Sequence, residues 1–461
     1  MEESEIIVIG GGPGGLSAAL AAARAGAQVT LIDAYAHPGG QYYHQPPERL
    51  AEHSNAHQRQ GQKVLSTVKA AGVRIVSETL VSSISPDKTL VCNSPQVAYL
   101  QKAKRIIIAS GAYEQPLPFP GWTLPGVLMT GGIQTLLHQH VLPGKRVLLT
   151  GTGPLQLVVA KNLIQAGAEV VAVLEGNQLI KSSGLRATAM WGQWERMAEG
   201  LQSFLTMMTN GVPYQLGWGI VEAHGTNEVT GATIARLDQD WRPVKGTEQE
   251  VICDTIGTAY GFVPFNSLSK IAGAQQAWHP ELGGEVPIRN EYFETTIPGI
   301  YAIGDGAGIG GFWMSEMEGE LAGIWAAKQL GHEKQPADVA ITHVRSRIRR
   351  KNRFQRLYAD LFNPGPGAFE MVKDDTIVCR CENITYARLR EAILTGDLTP
   401  QEIKNDIRTS MGRCQGRVCS RMVLHTLARM SGKTVAEIGM FGVRPPVFPL
   451  SIGVLASLDV E

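Results

Sequence analysis

Four of the six cysteines, Cys379, Cys381, Cys414 and Cys419, fall in the last fifth of the 461-residue chain, spaced C-x-C and, after 32 further residues, C-x4-C. Residues two apart in an extended segment point to the same side, so Cys379 and Cys381 can face one metal centre. Gly412 and Gly416 free the backbone around the second pair, and the apolar stretch after Cys419 predicts a helix whose N-terminal dipole favours a thiolate. Four thiolates suit a [2Fe–2S] cluster or structural zinc. Zinc sites more often pair cysteines as C-x2-C, and zinc offers no electron path, so the spacing favours the cluster. Arg380, Arg413 and Arg417 would offset the excess negative charge of four thiolates around iron.

A second chemistry is written at the other end. GGGPGG at 10–15 sets Gly10, Gly12 and Gly15 in G-x-G-x-x-G spacing, with Pro13 and Gly14 inside it and Asp33 closing the next strand. Gly10 permits the tight turn, Gly12 lets a pyrophosphate reach backbone N–H groups, Gly15 allows close helix–strand packing, and Asp33 can accept from a ribose hydroxyl. IYAIGDGAG at 300–308, with Gly304 and Asp305, looks like the second flavin motif of flavoproteins with two dinucleotide domains. There the aspartate meets the ribityl chain. IIIASGA at 106–112, with Ser110 and Gly111, looks like the middle motif, and HPGGQ at 37–41, with Gly40 and Gln41, fits the same pattern. Together these marks predict FAD. GTGPLQ at 151–156 repeats the first loop through Gly151 and Gly153, and Glu175 ends its second strand, but Gln156 replaces the third glycine. This second site is expected either to hold NAD or another adenine nucleotide, or to be an empty nucleotide fold.

The elements that must position these residues are legible. IIVIG (6–10), QVTLID (28–33) and RIIIASG (105–111) are short, continuously apolar runs, as expected of a parallel sheet covered on both faces, with a helix over 16–25. Residues 145–175 read as a second strand–helix–strand unit. Residues 176–250 loosen into helical and antiparallel pieces, and 295–311 return to strand and glycine turn, which predicts a split first domain. The expected class is α/β, a glutathione-reductase-like flavoprotein with two dinucleotide-binding domains and a small helical C-terminal cluster domain. Its expected boundaries are 1–115 and 260–335 for the FAD domain, 116–259 for the second dinucleotide domain, 336–372 for a basic linker or helix, 373–430 for the cluster domain and 431–461 for a tail.

Composition narrows the classes. Lys plus Arg equals Asp plus Glu at 42 each, so no global field argues for nucleic acid or an anionic membrane. No apolar run approaches the roughly 20 residues of a membrane span, the acidic N-terminus lacks the basic start of a secretory signal, and isolated Cys92 and Cys253 do not make a disulfide framework. A cytoplasmic protein is expected. A dithiol beside the flavin is not expected, because the first 378 residues contain only those two cysteines. His44, His138 and His140 match no carboxylate motif, and no residue is assigned as catalytic. Trp313 and Met314 should open the helix beside the flavin. The run 345–356 carries Arg345, Arg347, Arg349, Arg350, Lys351, Arg353 and Arg356 without an acid, which fits a solvated helix face or a docking face for a partner, without the aromatic platform of a nucleic-acid binder.

The stretch DDTIVCRCENIT…GRCQGRVC closely resembles the bacterioferritin-associated-ferredoxin-like (BFD-like) [2Fe–2S] domain. Over residues 5–430 the chain resembles the alpha (FAD/[2Fe–2S]) subunits of multimeric amino-acid and opine dehydrogenases. That family includes the corresponding subunits of hydrogen cyanide synthase, of octopine and nopaline oxidases and of hydroxyproline/proline dehydrogenase, together with part of the alpha chain of sarcosine oxidase. The resemblance implies a hetero-oligomer in which a beta subunit of the D-amino-acid-oxidase type, carrying its own FAD, oxidises an amino acid, imino acid or opine, and this chain relays the electrons to an acceptor. It also raises FMN at the subunit interface, a small ferredoxin-like gamma subunit, and peripheral attachment at the inner face of the cell membrane. The rival reading is a stand-alone NAD(P)H-dependent flavin/iron–sulfur reductase.

Overall fold

The computed structural model describes residues 3–46, 54–178, 194–333, 337–396 and 398–458. Contacts divide the chain into two compact units. The first comprises Met1–Tyr113, Val263–Gln355 and Gly442–Glu461, and the second Glu114–Phe262 and Arg356–Phe441.

In the first unit the strand Glu3–Ile9 lies between Val29–Ile32 and Ala98–Ile108, parallel to both, in a seven-stranded sheet. Ile6, Ile7 and Val8 are completely buried, as the unbroken apolar run requires of a strand covered on both faces. The strand Ile300–Ala302 returns parallel to Ala98–Ile108, so the residue run that delivers Asp305 joins the same sheet edge as the first glycine loop. Two helices cover this edge, Pro13–Ala25 and Phe312–Lys328. They touch backbone to backbone through glycine: a Cβ on Gly319 would stand 2.1 Å from Gly14 O, and one on Gly323 2.3 Å from Ala18 O.

In the second unit five parallel strands run in the order Tyr214–Leu216, Glu169–Glu175, Arg146–Gly151, Thr255–Ala259 and Val127–Met129. The loose stretch expected after 176 resolves into the helix Trp194–Thr209 and an antiparallel meander, Trp218–His224, Gly231–Arg236 and Gln249–Val251.

The cluster segment belongs to this second unit. It comprises a short antiparallel pair, Ile377–Cys379 with Ile384–Thr385, and the helices Tyr386–Thr395, Pro400–Ile407 and Ser420–Ser431. Trp122, buried in the core of the second unit, donates its Nε1–H to Ile377 O at 2.7 Å, and the Arg380 guanidinium lies 5.4 Å from the same ring. Met371 and Val418 pack on that core.

Two stretches take a definite form. Of the two expectations for the basic run, linker or helix, the structure shows a helix: the run lies within the 26-residue Ala337–Phe362. Its cations find acids remote in sequence: Arg345 pairs with Glu291, and Arg347 with Glu320 at 3.0 Å. The side chains of Arg353 and Arg356 lie outside the described residues. The stretch 431–461 is divided. Val435–Ile438 stays with the second unit, whereas from Gly442 the chain belongs to the first. There Val447, fully buried among Ile84, Leu90 and Phe265, donates its N–H to Ser82 O at 2.9 Å. Burial of that apolar side chain is the physical reason the end of the chain is not a free tail.

Candidate functional site

The first glycine loop is a backbone surface stripped of Cβ atoms. Gly10 sits at φ +100° with its missing Cβ 2.3 Å from Ala109 O, and a Cβ on Gly15 would meet Gly10 O at 1.8 Å. Gly40, at φ +58°, brings its backbone against Gly12, and Gln41 beside it is exposed. Gly12 is the N-cap of Pro13–Ala25 in extended geometry, with no side-chain cap and no acid in the first turn; Pro13 occupies N1. Among the described residues nothing takes the Gly12 N–H, so the helix start presents open donors, the arrangement an anionic pyrophosphate needs. Asp33 accepts through Oδ2 from Gly11 N–H and through Oδ1 from Tyr35 N–H at 2.8 Å. Burial pushes its carboxyl upward, and those two backbone bonds oppose the shift.

The downstream motif is built as firmly. Asp305 Oδ1 accepts from Gly310 N–H at 2.8 Å and Gly311 N–H at 2.7 Å, and among the described residues no protein bond is recorded at Oδ2. Burial raises this carboxyl too. Gly304, at φ +63°, donates to Glu318 Oε2 at 2.8 Å, and the same oxygen receives Arg289 Nη1 at 2.9 Å. Arg289 also donates to Ala302 O, so one buried ion pair grips the strand end and the turn that carry Asp305. Ser110 Oγ donates to Phe265 O at 2.6 Å, while Gly111 sits at φ +72° with open space around it. Met314 is buried, and Trp313 lies under Lys351 Nζ at 5.7 Å. His44 is half-buried, and desolvation lowers its pKa. Unfilled donors, glycine-only approaches and a half-used aspartate fit FAD.

The second loop shares the plan but not the openness. Gly151 is at φ +137°, its missing Cβ 2.0 Å from Ala259 O, and Gly153 is at φ +101°. Glu175 is one methylene longer than Asp33 and reaches one residue further into its loop: Oε2 accepts from Gly153 N–H at 2.9 Å, and Oε1 from Asn177 N–H at 3.0 Å. It is fully buried, and desolvation raises its pKa. Gln156 is also buried, and neither end of its amide has a partner among the described residues. The helix begins only at Leu155, with Pro154 as its N-cap in helical geometry and no side-chain cap.

The four cysteines divide into two pairs, Cys379 lying near enough to Cys419, and Cys381 to Cys414, for their thiols to interact. Cys379 and Cys419 are buried, Cys414 is half-buried and Cys381 exposed. Among the described residues no group of three or more ligand side chains converges on one ion centre. Two pairs, rather than one tetrahedral foursome, fit a two-iron cluster with two thiolates per iron. Gly412 is required here, since a Cβ on it would stand 2.2 Å from Cys381 Cβ. Arg417 donates to Cys414 O at 3.3 Å, while Arg380 and Arg413 are exposed. Sequence reasoning missed two hydroxyls at Cys419 Sγ, Thr409 Oγ1 at 3.5 Å and Ser410 Oγ at 3.4 Å, because no motif marks the groups that surround a ligand. The other two cysteines are inert: burial pushes Cys92 up to about 12 and Cys253 up to about 11.

The fold and these sites define a flavin- and iron–sulfur-binding oxidoreductase. The chain belongs to the pyridine nucleotide-disulphide oxidoreductase family, whose model matches residues 4–331, and a BFD-like [2Fe–2S] binding domain matches 377–429. These families imply FAD and a [2Fe–2S] cluster. The chain is 31% identical to an opine oxidase subunit of Agrobacterium tumefaciens (strain Ach5), covering 98% of this chain and 92% of that one. It is 29% identical to the HcnB subunit of hydrogen cyanide synthase from Pseudomonas aeruginosa, over 99% of each. Among solved structures, L-proline dehydrogenase from P. horikoshii superposes with a TM-score of 0.70 at 20% identity, covering 98% of this chain and 79% of that one, which speaks for the fold. Among the described residues no helix is long and apolar enough to cross a membrane.

Proposed function

We propose that this chain is the electron-relaying FAD/[2Fe–2S] subunit of a hetero-oligomeric dehydrogenase or oxidase of amino acids, imino acids or opines. The observation that carries this reading is the coexistence, on one chain, of an open dinucleotide cradle and a two-by-two thiol site. FAD exchanges two electrons and a [2Fe–2S] cluster one, so the pair converts hydride chemistry performed elsewhere into single-electron delivery.

The chain's own residues have positioning roles. Gly10, Gly12, Gly14, Gly15 and Gly40 give FAD its backbone surface, Asp33 and Asp305 receive its sugar hydroxyls, and Cys379, Cys381, Cys414 and Cys419 hold the iron. Substrate chemistry belongs to a partner of the D-amino-acid-oxidase type with its own FAD. This assignment is supported by relatives named as subunits of an opine oxidase and of hydrogen cyanide synthase. Interface FMN and a small ferredoxin-like third subunit belong to the same proposal, and so does a cytoplasmic location with peripheral attachment to the membrane.

The test is gentle affinity purification of the tagged chain from its native cell, with identification of stoichiometric companions. A flavoprotein partner whose addition confers oxidation of an amino acid or opine is the expected result. A lone FAD- and iron-containing chain reduced by NAD(P)H would overturn the proposal.

A further inference from the structure

Trp241 has the position of a plug in the second nucleotide fold. Its side chain is buried, and its ring stands 2.5 Å from where a Cβ on Gly176 would lie. Its Nε1 donates to Asn177 Oδ1 at 2.9 Å. Gly176 and Asn177 directly follow Glu175, the acid that in such folds receives the adenosine ribose. Asn177 Nδ2 in turn donates to Thr152 Oγ1, inside the glycine loop, at 2.9 Å. An indole, an amide and a carboxylate therefore close the loop on itself, where the first loop leaves its donors open.

We infer that Trp241 is the specificity-determining residue that denies this fold to nicotinamide and adenine nucleotides, its ring standing in for the nucleoside next to Glu175. The inference rests on the relay reading and deepens it, since a closed second fold removes the seat from which NAD(P)H would feed the flavin.

Core packing alone does not account for the geometry. Trp241 is held at φ +71°, a backbone region that bulky residues avoid unless the surroundings enforce it. The enforcement is visible on both sides of the turn. Within it, Asp238 Oδ1 accepts from Asp240 N–H at 2.9 Å and Arg242 N–H at 2.8 Å. From outside, Gly367 N–H donates to Asp240 O at 2.7 Å, Arg242 Nε donates to Glu370 Oε2 at 3.1 Å, and a Cβ on Gly365 would meet the indole Cδ1 at 2.6 Å. The segment that latches the turn leads directly into the cluster strand Ile377–Cys379. The same peptide therefore both fixes the plug and seats the first cysteine pair. In this chain the nucleotide fold serves as the platform of the cluster.

The test is calorimetric titration of the purified holo-chain, its FAD and iron in place, with ADP and with NAD+. The wild-type chain is expected to bind neither with a Kd tighter than about 1 mM, the weak end of cofactor affinity. Trp241→Leu, with flavin absorbance and iron content unchanged, is expected to bind ADP at least about tenfold more tightly than wild type. If that variant loses flavin or iron, Asn177→Ala, which frees the indole from its tether, is expected to give the same gain. Tight ADP or NAD+ binding by the wild-type holo-chain, or an adenine nucleotide besides FAD released from it, would overturn the inference, as would folded variants that gain nothing. Failure of the relay reading has a separate signature, a holo-chain without iron or without a partner, and so cannot be confused with these outcomes.

Discussion

The two glycine loops share a plan and differ in what is left unsatisfied. At 10–15 the acid ends on the second residue of the loop and leaves Gly12 N–H open; at 151–156 a longer acid takes the corresponding Gly153 N–H, and Trp241 lies over the residue that follows it. A fold used twice has thus kept this loop donor open once. One added methylene and one remote tryptophan distinguish the open loop from the closed one.

The comparison can be broken most directly at the glycines. Gly15→Val drives side-chain atoms into Gly10 O and should abolish FAD retention, read as loss of flavin absorbance in the purified chain. Gly153→Val should leave the flavin content unchanged, because the FAD cradle is built on the other loop; a comparable loss of FAD would erase the distinction. Gly176→Ala probes the plug from its other side. Its Cβ must share space with the Trp241 ring, and overpacking of this kind costs about 1–3 kcal/mol. The expected result is a lower Tm with FAD and iron retained, and recovery of Tm when Trp241 is shortened to Leu.

A smaller effect separates the two acids by pH. Burial raises both Asp33 and Glu175, so in each case the folded state holds its proton more tightly than the unfolded chain. Their contribution is therefore most favourable at low pH and declines as pH rises above the unfolded value of about 4. Glu175→Gln should flatten that decline in apparent stability without changing FAD affinity. Asp33→Asn should flatten it as well and also weaken FAD binding. Equal effects on FAD would contradict the assignment.

The smallest effect belongs to the cluster, where the second unit has its chemistry. Thr409 donates to Cys419 Sγ, and Ser410 shares a contact with the same sulfur. Hydrogen bonds to a cluster sulfur stabilise the more negative, reduced form. Thr409→Val should lower the midpoint potential by tens of millivolts, roughly 59 mV for each tenfold change in a one-electron equilibrium. An unmoved potential with the cluster intact would remove this role.

Much of this was legible in the sequence, for local reasons. The strand Glu3–Ile9, the helix Pro13–Ala25 and the spacing of the four cysteines are short-range patterns, and period, cap and spacing report them. The basic run is legible as a linker or a helix but its ion-pair partners are not, because the acids, Glu291 and Glu320, lie on other elements. Gln156 announces that the second loop departs from pattern. That Trp241 packs over Gly176 is invisible, because the contact joins residues 65 apart and depends on a left-handed turn that no local residue preference favours. The return of Val447 to the first unit is equally non-local.

The most direct test of the central claim is low-temperature electron paramagnetic resonance of the assembly isolated from its native cell. It would be recorded anaerobically after addition of an amino-acid or opine substrate and, separately, of NADH. An electron relay fed by a partner predicts the signal of a reduced [2Fe–2S] cluster with the substrate and none with NADH. A cluster signal produced by NADH in that assembly would contradict it.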